Sequence, residues 1–81
     1  MSRYFFNIRR SGDTALDDEG EDFGNLEDAR EHAVNSIREL IAAQIKVGAI
    51  VADEHMDICD DAGNTLFSVS FHDVVKDHLA K

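Results

Sequence analysis

Apolar and polar positions alternate at the start of the chain. Residues 3–9, RYFFNIR, place Tyr4, Phe6 and Ile8 on every second position, with polar residues between most of them. This period of two is typical of a strand with one buried face. The sequence therefore predicts a first strand here, with these three side chains on the core side.

A turn and a second strand are predicted directly afterwards. Gly12 suits the left-handed position of a three-residue loop formed by residues 10–12, which would lead into a short strand over residues 13–18. This register keeps the apolar side chains on one face. It predicts the pairs Ile8 with Thr14 and Phe6 with Leu16.

The period then changes to that of a helix over about residues 26–47. Asn25 occupies the N-cap position, where its side chain can accept a hydrogen bond from the amide of Asp28, and Gly48 suits the C-terminal end. At 100° per residue the apolar side chains form one stripe. The stripe comprises Leu26, Ala29, Ala33, Ile37, Leu40 and Ile41, of which Ile37 and Leu40 are expected to be central to the core.

A second hairpin follows in residues 55–71, HMDICDDAGNTLFSVSF. A loop of two or four residues at the turn-forming quartet 61–64 keeps the large apolar groups on one face, whereas a loop of three would separate them. The favoured register pairs Ile58 with Phe67 and Met56 with Val69. Residues 73–80 are consistent with a short last helix whose inward side chains are Val74, Val75 and Leu79.

These elements predict one α+β domain over residues 1–81, in the order ββαββ(α). A four-stranded, mainly antiparallel sheet with the long helix packed on one face buries every apolar stripe. A domain of this length has one modest core. With a single cysteine, Cys59, the chain forms no internal disulfide, and its N-terminus lacks the apolar run of a signal peptide, so a cytoplasmic location is expected.

The formal net charge of −9 is unevenly distributed. Residues 1–10 carry three arginines and no acid, whereas residues 11–31 carry nine acids and one arginine, and residues 51–64 add five acids. Such a surface repels phosphate backbones, so we expect no nucleic-acid partner, and no apolar stretch is long enough to span a membrane. A basic protein is the expected partner.

The densest acidic run is the expected interaction surface. It comprises Asp17, Asp18, Glu19, Glu21 and Asp22. A calcium loop fails on spacing, because placing Gly20 or Gly24 at the sixth loop position puts Leu26 or Arg30 at the twelfth, where a carboxylate is required. We predict no metal, cofactor or catalytic residue in this run.

The predicted outer face of the sheet offers a second candidate site. His55, Asp57 and His72 could converge on a zinc-like ion, whereas Cys59 would lie ~13 Å from His55 and could not share it. The simpler interpretation is an uncovered sheet face with polar side chains. Whether these three residues bind a metal stays open at this point.

Four segments of the chain carry a family resemblance. RYFFNIR, DDEG, LEDAREHAVNSIREL and DDAGNTLFSVSF, in this order, resemble a family of small uncharacterised proteins of rhizobia and related alphaproteobacteria. The resemblance implies a bacterial, cytoplasmic, stand-alone domain of unknown function. It carries over no catalytic residues.

Three functions remain as hypotheses. The first is a non-catalytic interaction or regulatory module that acts through its acidic surface, as a monomer or weak homodimer. The second is a small metal- or thiol-dependent enzyme that uses the outer sheet face. The third is an acidic, antitoxin-like inhibitor of a basic partner.

Overall fold

The computed structural model describes residues 2–80 and has an α+β fold, as predicted. An antiparallel sheet is packed against one long helix, with a short helix at its end. The elements are β1 (Ser2–Arg10), β2 (Asp13–Ala15), β3 (Glu21–Phe23), α1 (Leu26–Lys46), β4 (His55–Cys59), β5 (Thr65–Ser70) and α2 (Phe71–Lys76). The sheet therefore contains one strand more than the sequence predicted.

The long strand β1 is the centre of the sheet. The strand order is β2-β1-β4-β5, and β3 also pairs with β1. The two short strands lie one after the other along β1, because β2 pairs with residues 8–10 and β3 with residues 2–4. The predicted second strand over 13–18 is thus wrong in its extent, since β2 ends at Ala15 and the acidic segment after it contributes a separate strand.

The predicted register of the first hairpin is wrong by one residue. Ile8 lies opposite Ala15, and Arg10 opposite Asp13, so the turn contains only Ser11 and Gly12. Gly12 takes a φ of +91°, which glycine adopts without steric cost. In this register Leu16 is not opposite Phe6, and its side chain is 70% exposed.

Helix α1 begins as the sequence predicts. The Asn25 side chain accepts a hydrogen bond from the backbone amide of Asp28 at 2.8 Å, which confirms the N-cap. At the other end, Val47 is the C-cap and Gly48 follows with a φ of +77°. The helix therefore ends where the glycine permits a left-handed residue.

The core stripe of α1 differs from the prediction at one position. Ile37 is fully buried, as predicted, but the side chain of Leu40 is 39% exposed. Helix α2 packs on the side of α1 that carries Arg38 and Ile41, where Arg38 Nε donates to His78 Nε2 at 3.0 Å. The opposite side, with Leu40, is left partly uncovered.

The second hairpin has the predicted register. Ile58 pairs with Phe67, and Met56 with Val69, before a bulge at Cys59. The large apolar side chains of the pair thus share the helix side of the sheet. Phe67 remains 39% exposed at the sheet edge, where the guanidinium of Arg30 lies 5.2 Å from its ring centre.

The last helix is shifted towards the N-terminus relative to the prediction. Helix α2 spans Phe71–Lys76, and its N-cap is Ser70, whose hydroxyl accepts a hydrogen bond from the amide of Asp73. Phe71 and Val74 are buried. The prediction that Leu79 points inward is wrong, because the helix ends at Lys76 and Leu79 is exposed.

The core lies between the sheet and the two helices. Its buried members come from five elements, so no hairpin or helix can bury its apolar face without the others. They are Tyr4, Ala29, Ala33, Ile37, Ile41, Met56, Ile58, Val69, Phe71 and Val74. Within residues 2–80, neither helix combines the length and the apolar character that crossing a bilayer requires.

Candidate interaction groove on the outer sheet face

The sheet face that points away from α1 is partly covered. Cys59 and Asp57 lie on this face, yet they expose only 4% and 9% of their surface. The sequence predicted an open polar face at this place. The covering comes from long side chains of β1 and from the segment that links β2 to β3.

Asp57 is held by Arg9 and Ser68. Arg9 Nε donates to Asp57 Oδ2 at 3.0 Å and Arg9 Nη2 donates to Oδ1 at 3.2 Å, while the Ser68 hydroxyl donates to Oδ1 at 2.6 Å. Burial opposes ionisation of this carboxyl, but these hydrogen bonds and the Arg9 charge outweigh it, so the pKa of Asp57 is lowered. Both carboxylate oxygens therefore serve to join three strands.

The two candidate histidines lie in different surroundings. His55 pairs across the sheet with Ser70 and Arg9. His72 lies at the start of α2, where its Nε2 is 2.9 Å from the carbonyl oxygen of Val51 and its backbone amide donates to Asp53. In the part of the chain that the structure describes, no three His, Cys, Asp or Glu side chains come together as a metal site. The structure thus does not assemble the zinc-like site considered for His55, Asp57 and His72.

Within residues 2–80, no histidine hydrogen-bonds to the thiol of Cys59. Its Sγ lies 3.5 Å from the side-chain nitrogen Nδ2 of Asn7 and 3.6 Å from the hydroxyl of Thr65. A nucleophilic cysteine, by contrast, needs a base within hydrogen-bond reach. Cys59 packs as a small buried side chain.

Asp17 belongs to the fold more than to the acidic surface. Its carboxylate accepts hydrogen bonds from the backbone amides of Phe6, Glu19 and Gly20, and its own amide donates to Asn7 Oδ1. Burial opposes its ionisation, but these amides and the Arg3 charge outweigh that effect and hold the pKa of Asp17 below its usual value. The Asp17 carboxylate thus joins the segment between β2 and β3 to the backbone of β1.

Two other members of the acidic run lie beside basic side chains of the same chain. Arg3 Nη2 lies 3.3 Å from Asp22 Oδ2, and His32 Nε2 lies 3.1 Å from Glu21 Oε2. Both pairs are well exposed and contribute little stability. The Arg3 charge nevertheless reduces the negative charge that this part of the surface offers to a partner.

Of the two remaining carboxylates of the acidic run, Asp18 borders a groove and Glu19 does not. Its floor is apolar and consists of Phe5, Leu16 and Cys59, and its volume is about 260 Å³. Besides Asp17, three carboxylates stand around this floor, those of Asp18, Asp60 and Asp61, and we call the whole the acidic groove. Asp18 comes from the segment after β2, whereas Asp60 and Asp61 come from the β4–β5 turn.

The three rim carboxylates are not equivalent. Asp60 accepts hydrogen bonds from the amides of Ala62 and Asn64 and from the Asn64 side chain, and those from Asn64 hold the pKa of Asp60 below its ordinary value. Asp18 and Asp61 make no hydrogen bond or ion pair with residues 2–80. Asp60 shapes the turn, and the other two are free to bind.

The sequence indicated only half of this arrangement. It included Asp18 as one of five acids in residues 17–22, but it did not connect that residue with Asp60 and Asp61, about 40 positions later. The sequence feature that pointed to Asp60 and Asp61 was the excess of acids in residues 51–64. Connecting these acids with Asp18 required the pairing of β1 with β4. In that pairing Phe5 lies opposite Cys59, which brings the two acidic segments together.

Comparison with known proteins places the chain in a family. Neither the curated proteins nor the solved structures include a significant match to it. A family model, however, matches residues 3–72, which include β1 from Arg3 onwards, the other four strands, all of α1 and the acidic groove. The chain therefore belongs to the family described as a domain of unknown function, DUF6894.

Proposed function

We propose that this protein is a non-catalytic interaction module that binds a basic segment of a partner protein in the acidic groove. One observation carries the proposal: Asp18 and Asp61, which have no partner within residues 2–80, stand beside an apolar floor. A lysine or arginine side chain has the matching composition. Its aliphatic stem can pack on Leu16 and Phe5 while its charged end meets the carboxylates.

The surroundings of the groove strengthen its preference for cations. The formal net charge of −9 attracts a basic partner from a distance and speeds the encounter. The same charge repels nucleic acids and anionic lipid surfaces. Arginine suits this site better than lysine, because its planar group can bind a carboxylate through two hydrogen bonds.

We further propose a bacterial and cytoplasmic setting for this module. The family resemblance to alphaproteobacterial proteins supports the first, and a buried free thiol supports the second. An antitoxin-like role is the special case in which the basic partner is a toxin. Isolation of the native complex followed by mass spectrometry would identify the partner.

A peptide titration tests the groove directly. The probe is a short, end-capped peptide that alternates leucine and arginine, and its control replaces every arginine by glutamate. We expect the basic peptide to shift the amide resonances of Leu16, Asp18 and Asp61 in NMR spectra, and the acidic peptide to shift none of them. Binding should weaken as salt rises, because the screening length falls to ~8 Å at physiological ionic strength.

Matched charge variants separate the groove from the net charge. Asp18→Asn with Asp61→Asn removes two negative charges at the groove, and Glu31→Gln with Glu39→Gln removes two from exposed positions of α1. We expect only the first pair to weaken peptide binding by about tenfold or more. If both pairs weaken binding equally, net charge alone attracts the peptide and the groove has no specific role.

A further inference from the structure

The two edges of the sheet differ in length and charge. One edge is formed by β2 and β3, which have three residues each and together carry Asp13, Glu21 and Asp22. Short, charged strands hinder pairing with another chain. The other edge is β5, TLFSVS, which has six residues and neither a charge nor a proline. The bulge at Cys59 interrupts the start of β5, but residues 67–70 pair in regular register and form an unprotected edge.

The outer side of β5 presents backbone groups that can bind another strand. The amide of Phe71 donates to the carbonyl oxygen of Glu54 at 2.8 Å, directly after the ladder pair of Ser70 with His55. Hydrogen-bonded pairs alternate along an antiparallel ladder, so the backbone N–H and C=O of Ser68 point away from β4. Within residues 2–80, no strand pairs with this side of β5, and the hydrogen bond that Ser68 makes to another element uses its hydroxyl.

A groove lies beside this edge, on the helix side of the sheet. Its volume is about 160 Å³, and residues 67–70 form one wall while α1 and α2 form the other. The helices contribute the apolar side chains of Val34 and Val74 and the charged side chains of Arg30 and Asp77. A cavity of about 150 Å³ accommodates a benzene-sized group. A strand added to β5 lies about 4.8 Å from it, so the side chains of that strand on this face enter the groove.

The charges at the groove favour a cation at one end. Asp73 and Asp77 line the groove from α2, which begins where β5 ends. Asp73 Oδ1 lies 4.0 Å from Lys76 Nζ, whereas Asp77 makes no ion pair with any of residues 2–80. The net charge of −9 attracts a positively charged segment to the same place. The groove thus suits an apolar side chain beside Val74 and a basic side chain beside Asp77.

We propose that β5 binds an extended segment of a partner protein as an additional antiparallel strand. The backbone of the segment pairs with Ser68, and its side chains on the helix side are apolar. A basic residue at its N-terminal end meets Asp77, because an antiparallel strand begins where β5 ends. A second copy of the chain is a poorer occupant, since two chains with a net charge of −9 repel each other. The acidic groove lies on the other face of the sheet, so this inference does not rest on the proposed function.

A titration with a designed peptide tests the site. The probe is an end-capped hexapeptide in which a lysine is followed by threonine and valine in alternation. It spans ~20 Å, the length of β5, with its lysine and both valines on one face. We expect NMR shifts of the amides of Ser68 and Asp77, and none at Leu16 and Asp18 of the acidic groove. No shift at Ser68 with about 1 mM peptide overturns the proposal.

The charge of the peptide tests the role assigned to Asp77. Replacement of the lysine by glutamate should raise the Kd by about threefold or more, since it exchanges attraction for repulsion at an exposed carboxylate. An unchanged Kd overturns the placement of a basic residue beside Asp77.

Methylation of the peptide backbone distinguishes strand pairing from other contacts. Residues opposite each other in an antiparallel pair share a face, so the threonines take the outer face with Ser68 and direct their N–H groups to β5. The valine N–H groups point to solvent. We expect N-methylation of two threonines to raise the Kd by about tenfold or more, and N-methylation of both valines to change it much less. Equal losses, or a greater loss from the valines, overturn the antiparallel pairing.

Two variants of Ser68 test the edge on the protein. Ser68→Pro removes the outward N–H, and Ser68→Ala is the matched control, because both lose the hydroxyl that donates to Asp57. We expect only Ser68→Pro to abolish the peptide shifts, and an equal loss in both variants overturns the proposal. Circular dichroism checks that each variant is folded, and the methylated peptides give the same test on the unaltered chain.

Sedimentation equilibrium of the chain alone tests the choice of occupant. We expect a monomer. A dimer that Ser68→Pro dissociates and Ser68→Ala retains assigns the β5 edge to a second copy and overturns the assignment to a partner segment.

Discussion

The two ends of α1 present opposite surfaces. Around its N-terminus lies the densest run of charge in the chain, residues 17–22, and most of those charges are engaged by the protein itself. Around its C-terminus, residues 40–52 carry one charge, and four of their large apolar side chains are exposed: Leu40, Ile45, Val47 and Ile50. The N-terminal end of α1 has more charge in the sequence, but more of its side chains already have partners within the protein.

This contrast shows that a folded protein can bind many of its own charged side chains internally. A carboxylate can bind backbone amides, as Asp17 does, or an arginine of a neighbouring strand, as Asp57 does. Apolar side chains beyond the end of the sheet have no comparable internal partner. Whether a carboxylate is available to a partner thus has to be judged for each residue. The number of like charges in a segment overstates how many are available.

The largest expected effect separates the core part of α1 from its exposed part. Ile37→Ala should lower the free energy of unfolding by about 2–5 kcal/mol, because it leaves a cavity in a fully buried site. Leu40→Ala, three residues away, should cost on the order of 1 kcal/mol or less, since that side chain is partly exposed. Urea unfolding measures both. Similar losses would mean that the core extends further along α1 than the structure shows.

The next effect distinguishes Asp17 from its neighbour in the acidic run. Asp17→Asn should cost about 1–3 kcal/mol, because it weakens several hydrogen bonds to a charged acceptor. Asp18→Asn is the control and should leave stability nearly unchanged. Thermal melts of the two variants compare them. A destabilisation that is equal in both would remove Asp17 from its structural role.

The difference between wild type and Asp17→Asn should also depend on pH. The pKa of Asp17 is lowered in the folded state, so its contribution is present above the unfolded pKa of ~3.9 and is lost as pH falls towards the folded value. We expect the two melting temperatures to differ at pH 7 and to converge below about pH 4. Melting curves that stay separated at low pH would assign the difference to something other than ionisation.

The smallest expected effect concerns the cap at the charged end of α1. Asn25→Ala should cost about 0.5–2 kcal/mol through loss of the hydrogen bond to Asp28. Asn25→Ser retains an acceptor oxygen and should recover most of this stability. Amide hydrogen exchange in the first turn of α1 would show whether the loss is local. Protection that does not change in Asn25→Ala would exclude the capping role.

The sequence was sufficient for elements whose signals are local. Asn25 and Gly48 defined the helix, and the pairing of Ile58 with Phe67 followed from keeping apolar side chains on one face. The strand β3 was missed because its three residues, Glu21 to Phe23, have neither the length nor the apolar alternation of a strand. Its pairing depends on Asp17 and Gly20, whose roles appear only when β1 is beside them. An added Cβ at Gly20 would approach the Tyr4 carbonyl oxygen to 2.9 Å.

The candidate sites were harder to predict, because they depend on contacts between distant segments. The alternation of His55 and Asp57 on one strand suggested a metal site, but it could not reveal that Arg9 would bind Asp57 from another strand. Likewise, the apolar residues beyond Ile41 continue the helical pattern of the core. Only the three-dimensional structure shows that the sheet and α2 do not cover all of them.

The central position of β1 has a consequence for synthesis of the chain on the ribosome. Phe5 pairs with Cys59, so the strand made first must wait for more than 50 further residues before its β4 partner exists. At about 5–20 residues per second, this delay lasts on the order of 3–10 s. During that time β1 can pair only with β2 and β3, which are encoded directly after it. The carboxylates of residues 17–22 accompany the apolar face of β1 through this interval, and their charge would help to keep the nascent chain from aggregating before α1 and β4 arrive.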